Sequence, residues 1–137
     1  MGDKDSKLWF TVRGFVSTGR SEGRIFVSLP WFKNYIKETL SFEPFPGTLN
    51  LVLPNEEARR LAKMFSKYHG FRAPPKNGYL PGRLYRALIV HKMEGAIVRP
   101  EKPGYPENLI EIIAPLRLRD FLSLKDGDEI EVKILFE

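Results

Sequence analysis

The spacing of apolar residues lays out the elements. Residues 8–18 (LWFTVRGFVST) are aromatic and β-branched and read as a strand, with Gly14 marking a bulge or a close approach of backbone. Residues 19–23 (GRSEG) read as a tight turn and 24–28 (RIFVS) as the returning strand. Pro30 suits a first helical turn, where the N–H that proline lacks would have no partner. Phe32, Ile36 and Leu40 then recur every four residues, so 30–40 is predicted to be a helix with one apolar stripe, ended by Pro44 and Pro46. Residues 47–53 (GTLNLVL) alternate: Leu49, Leu51 and Leu53 face one way, Thr48, Asn50 and Val52 the other. Asn55 is the expected N-cap of a helix over 56–68, with Glu56 and Glu57 in its first turn. Ala58, Leu61, Ala62, Phe65 and Tyr68 share one face of it.

Residues 69–83 are rich in proline and glycine and read as a loop. A hairpin is predicted over 84–92 and 95–99, then a second loop over 100–108 (PEKPGYPEN). Residues 109–113 (LIEII) form a strand, 115–122 a helix, and Asp126, Gly127 and Asp128 a turn. Clean alternation over 129–136 (EIEVKILF) closes the chain. The elements are therefore about six strands with two or three helices. Strands and helices do not alternate strictly, which argues against a doubly wound parallel sheet and for a mainly β, small barrel with inserted helices. No repeat, low-complexity tract or linker interrupts residues 1–137, so a single domain is expected.

Composition narrows the chemistry. The absence of cysteine excludes disulfides, zinc–thiolate sites, iron–sulfur clusters and thiol nucleophiles. Hydrophobic residues at 42% and charged residues at 28% fit an ordinary globular chain. No apolar run is long enough for a membrane-spanning helix, and the opening MGDKDSKLWF lacks a secretory h-region, so a soluble cytoplasmic protein is expected. The net charge of +5 is uneven: +2 over residues 1–53, +7 over 54–93 and −4 over 94–137. The basic middle segment would attract a polyanion, or it is a solvated helix and loop.

Residues 14–21 read G-x-x-x-x-G-R-S, one substitution from a phosphate-binding P-loop. The context is wrong, because that motif follows a strand and opens a helix, whereas here Gly14 lies inside a strand and Ser21 leads into another. What survives is a glycine-bounded turn with two arginines, whose backbone N–H groups can cradle phosphate oxygens or simply close a hairpin. Thr48 and Asn50 offer a hydroxyl and a side-chain carbonyl on one strand face. These are hard oxygen ligands suited to Mg²⁺ when a nucleotide supplies phosphate oxygens, or else two polar residues on a solvated face. Glu111 shares its strand face with Leu109 and Ile113, which is costly unless it is paired or at a rim. It could accept hydrogen bonds from a ligand, act as a base, or be an ordinary surface residue. Arg117 and Arg119 suit an anionic or planar ligand, or a solvated helix face. His69 and His91 have no partner at metal-ligand spacing, and Trp9 and Trp31 read as core rather than as stacking platforms.

Taken in order, GRSEGRIFVSLPWFK, FEPFPGTLNLVL, GAIVRP, LIEIIAPLRLRD and LKDGDEIEV resemble the archaeal CTP-dependent riboflavin kinases. The likeness covers 14–53 and 93–136, and G-T-L-N-L and E-I-I-A-P-x-x-L-R are its most specific parts. It implies a six-stranded cradle-loop barrel, similar to that of the bacterial and eukaryotic riboflavin kinases. The implied reaction moves the γ-phosphate of CTP to the 5′-hydroxyl of riboflavin, giving FMN and CDP with Mg²⁺. By position, Arg20, Ser21, Glu22, Gly23, Arg24 and Ile25 correspond to the nucleotide-wrapping turn. Thr48 and Asn50 correspond to the Mg²⁺ ligands. Glu111 corresponds to a flavin-contacting carboxylate and is the one candidate for a catalytic base. Leu116, Arg117, Leu118 and Arg119 correspond to a second nucleotide-contacting stretch, reading the cytosine with backbone groups. Two positions depart from the pattern. Ser21 stands where relatives carry a second glycine of the turn. Pro103 stands where a relative has a flavin-contacting threonine, and a proline offers no side-chain hydrogen bond there. Some relatives carry an N-terminal DNA-binding domain, which is not expected in this chain. The expected partners are riboflavin and FMN, CTP and CDP, with no membrane or nucleic acid, and a monomer. The competing readings are a non-enzymatic DNA-binding barrel, favoured by the basic segment, and a flavin- or nucleotide-binding module without catalysis.

Overall fold

The structure, a computed structural model, describes residues 7–18, 27, 29–73 and 82–137. The strands are β1 (Leu8–Ser17), β2 (Leu49–Val52), β3 (Phe71–Ala73), β4 (Gly82–Ile89), β5 (Met93–Pro100), β6 (Leu109–Ile113) and β7 (Glu129–Phe136). Among the described residues the helices are α1 (Pro30–Leu40), α2 (Asn55–Lys67) and the short α3 (Leu118–Phe121). Six strands close into an antiparallel barrel in the order β4-β5-β6-β2-β1-β7, with β7 pairing back onto β4. Closure uses β4 twice. Its first residues, Gly82 to Leu84, pair with β3, and Ala87 to Ile89 pair with β7. A ring of this kind leaves no long unpaired edge among its six members.

Alternate residues of each strand fill the interior. Val12, Leu51, Ile89, Ile97, Ile110, Ile112, Val132 and Ile134 belong to one buried cluster, which α2 caps with Ala58 and Leu61. A second cluster lies outside the barrel wall. There Phe32, Ile36 and Leu40 of α1, with Val27, pack on Leu84, Ala96, Val98 and Ile113. The predicted stripe of α1 is thus its buried face, and its predicted bounds hold. The double packing explains why all five residues of β6 are buried. One face of β6 looks into the barrel and the other is covered.

Gly14 is a close-approach glycine and not a bulge. The β1–β7 register runs unbroken through it, and a Cβ there would lie 2.9 Å from Leu53 Cδ2. Four expectations are corrected. Asn55 is the first helical residue of α2 and not its cap, because the extended Pro54 takes that place and no side chain caps the end. The loop over 69–83 contains β3, since Phe71 and Ala73 find partners on β4 that only the folded chain supplies. Trp9 is half exposed on the outer face of β1 rather than core. Of the strand expected at 24–28 only Val27 lies among the described residues, and it is helical and buried. No helix among the described residues is long and apolar enough to cross a membrane.

Candidate functional site

Strands β2 and β6 bring the chemistry together. Their antiparallel register sets Asn50 directly opposite Glu111, with Leu49 opposite Ile112. Asn50 is only 3% exposed and Glu111 is 0% exposed. A solvated strand face is therefore the wrong description of both residues, because this face is covered as well as the barrel face. Thr48 precedes β2 and is half-buried. Its hydroxyl donates to Glu111 Oε1 at 3.0 Å, and the Tyr105 hydroxyl donates to Oε2 at 2.7 Å. A carboxylate only accepts hydrogen bonds, so Thr48 spends its proton on Glu111 and keeps its oxygen lone pairs for something else.

A cleft of about 410 Å³ opens beside Thr48. One wall is the turn Phe45–Leu49 and the other is Ala114 with Leu116–Arg119. The Phe45 N–H donates to the Ala114 carbonyl at 2.8 Å and ties the two walls together at their base. Gly47 sits at φ +138°, a conformation open to glycine, and so turns the chain into Thr48. Asn50 and Glu111 lie behind this wall, and Thr48 is the polar side chain of the trio that faces the cleft.

The 116–119 stretch is anchored by buried Leu118, while Leu116 is 49% exposed. Arg117 is exposed and pairs with Asp120 at 2.7 Å. Arg119 reaches Asp126 Oδ1 at 2.6 Å, and the Thr18 hydroxyl donates to Asp126 Oδ2 at 2.9 Å. The hydrogen bond from Arg119, and after it that from Thr18, holds the Asp126 carboxyl below its ordinary range. This latch joins α3 to the end of β1. Arg20, Ser21, Glu22, Gly23, Arg24 and Ile25 lie outside the described residues.

A second cleft of about 350 Å³ is lined by Pro103 and by Tyr105, the residue whose hydroxyl reaches Glu111. The Arg99 guanidinium stacks on Phe65 at 4.6 Å and on Tyr105 at 5.6 Å. Burial pushes Arg99 below its ordinary value. Nearby, the Tyr85 hydroxyl donates to the Tyr68 carbonyl at 2.8 Å, and burial pushes its pKa up to about 12. Tyr105 and Arg99 were missed in the sequence. Neither belongs to a periodic stripe or a recognised motif, and Phe65 reads only as helix core.

Four arginines of the basic segment are engaged within the chain. Arg60 pairs with Glu57 and lies over Phe10, and Arg72 and Arg83 both meet Glu101. Arg86 donates to the Thr39 carbonyl at 3.0 Å. His91, expected to be incidental, sits 2.7 Å from Glu131 at the barrel's end.

A family model named for the CTP-dependent riboflavin kinases, described as domain of unknown function DUF120, matches residues 16–134. The chain belongs to this family. A riboflavin kinase of Thermofilum pendens is 37% identical over 138 residues, covering 95% of this chain and 61% of that protein. One from Archaeoglobus fulgidus is 39% identical over 135 residues, covering 96% and 57%. One from Ignicoccus hospitalis is 37% identical over 126 residues, covering 90% and 70%. The chain spans about three fifths of the length of the first two. The CTP-dependent riboflavin kinase match begins at Val16 and ends at Ile134, so it takes in every candidate residue from Arg20 to Arg119.

Proposed function

We propose that this chain transfers the γ-phosphate of CTP to the 5′-hydroxyl of riboflavin, giving FMN and CDP. The observation that carries the reading is the 3.0 Å hydrogen bond between Thr48 and Glu111. It joins the residue that would face the nucleotide's phosphates to the carboxylate that would face the flavin, so donor and acceptor sides meet at one contact.

Thr48 and Asn50 would hold a Mg²⁺ ion. The donor set fits: a hydroxyl whose proton is committed to Glu111, and a side-chain amide two residues on along β2, on the face that turns away from the barrel interior and opposite Glu111. No group of three or more His, Cys, Asp or Glu suited to a metal occurs among the described residues, so phosphate oxygens would complete the shell. When bound, the ion supplies charge neutralisation on the β- and γ-phosphates. The 116–119 wall would hold the nucleotide through backbone groups, because Arg119 is committed to Asp126. Residues 20–25 would contact the phosphates with backbone N–H groups.

Phosphoryl transfer of this kind is mostly positioning and electrostatics. The bond from the γ-phosphorus to the bridging oxygen breaks and that oxygen leaves on CDP, as a bond from phosphorus to the 5′-oxygen of riboflavin forms and the hydroxyl proton is released to solvent. Glu111 orients the acceptor, and turnover retained in Glu111→Gln would exclude it as an essential base. The test of the site is the pair Thr48→Ala with Asn50→Ala. Loss of FMN formation at limiting Mg²⁺ is expected, and full activity would refute the metal assignment.

A further inference from the structure

Glu111 is fully buried, and each of its oxygens already accepts a hydroxyl proton. Oε1 is served from the first cleft by Thr48, and Oε2 from the second by Tyr105. Tyr105 lines the second cleft and Glu111 does not, so from that cleft the carboxylate is reached through Tyr105. We propose that Tyr105 is a stand-in for the flavin. Its hydroxyl satisfies Glu111 in the ligand-free protein, and a hydroxyl or ring N–H of riboflavin displaces it from Oε2 on binding. This deepens the kinase reading and rests on it.

Three features support displacement over a fixed prop. The buried carboxylate needs a donor in both states, since a buried charge without hydrogen bonds is costly. Tyr105 sits in the loop between β5 and β6, beside Lys102, Pro103 and Gly104, which are all exposed. A Cβ on Gly104 would meet nothing within 4 Å, so no neighbouring group packs against the loop at the residue before Tyr105. The Tyr105 ring also meets Arg99, whose guanidinium stacks on Phe65 as well. A planar flavin ring entering the cleft would take up the same stacking, so Arg99 loses nothing when Tyr105 leaves.

The proposal makes an unusual demand of Tyr105→Phe. The substitution removes a hydrogen bond to a charged acceptor from the free protein only, so riboflavin should bind about tenfold tighter. The measurement is the riboflavin dissociation constant of wild type and Tyr105→Phe by quenching of flavin fluorescence, with thermal unfolding of each at zero and saturating riboflavin. Without riboflavin the variant should unfold at the lower temperature, and saturating riboflavin should close that gap. Tyr105→Leu, which also lacks the hydroxyl, should shift affinity in the same direction. Equal or weaker binding by Tyr105→Phe would overturn the stand-in role while leaving the kinase reading intact. Failure of the wild type to bind riboflavin would overturn both.

Discussion

Replacing Thr48 with valine removes one hydroxyl and keeps the side chain's shape and its suitability for extended backbone. What is lost is the donor to Glu111 Oε1, a bond of 3.0 Å to an acceptor that is 0% exposed. A hydrogen bond to a charged group contributes about 1.5–3 kcal/mol, and its loss leaves part of a buried carboxylate unsatisfied. Thr48 is itself half-buried, so water can reach the gap and the low end applies, about 1.5 kcal/mol. For a chain of 137 residues the usual unfolding entropy converts this to a drop of about 5 °C in the unfolding midpoint. Thr48→Ser keeps the hydroxyl and should recover most of the loss. The assay is thermal unfolding followed by circular dichroism, with FMN formation measured across a Mg²⁺ titration on the same samples. Valine should lower the midpoint and abolish turnover at limiting Mg²⁺, while serine should do neither strongly. A valine variant as stable as wild type would show that Glu111 does not depend on Thr48. A valine variant with an unchanged Mg²⁺ requirement would remove Thr48 from the metal site.

Two further outcomes are expected. Asp126 is held below its ordinary carboxyl value of 3.8 by Arg119 and Thr18, so the stability it contributes is present above that value and is lost as pH falls through its lower folded value. The stability gap between wild type and Asp126→Asn, measured by thermal unfolding from about pH 6 down to about pH 2, should therefore close in the acid; a gap that persists unchanged would refute the latch. Gly95→Ala would drive a Cβ into the Ile113 carbonyl oxygen, which is backbone and cannot swing away. The β5–β6 pairing must shift, costing about 2 kcal/mol or more, and an unfolding midpoint equal to wild type would contradict the close packing of these strands.

The parts of the fold that could be read from the sequence are those decided by local pattern. Helix α1 follows from Pro30 and three apolar residues at four-residue spacing, and it buries those three against the outside of the sheet. Strand β7 follows from clean alternation over 129–136. What alternation cannot convey is whether the second face of a strand is also covered. On β2 and β6 it is covered, so Asn50 and Glu111, which pattern alone leaves open to solvent, are buried and paired in register. Strand β3 was invisible because its three residues become a strand only through pairing with β4. Tyr105 was invisible for a similar reason: nothing near it in the chain announces that the loop after β5 returns it to a carboxylate six residues on. Thr48, Asn50, Glu111, Arg117 and Arg119 stand out as polar positions in the pattern, the resemblance to a family gives them roles, and the structure adds the contacts among Thr48, Glu111 and Tyr105 that no motif contains. The basic segment invited a nucleic-acid reading, yet Arg60, Arg72, Arg83 and Arg86 are spent on carboxylates, carbonyls and aromatic rings of the chain itself.

The most direct test of the account is FMN formation from riboflavin and Mg²⁺, followed by chromatography with fluorescence detection, with CTP and ATP supplied in parallel. CTP should give FMN and ATP little. FMN with ATP alone would keep the reaction but contradict the nucleotide assignment of residues 116–119. No FMN with either donor, at high protein concentration and elevated temperature, would contradict the kinase reading itself.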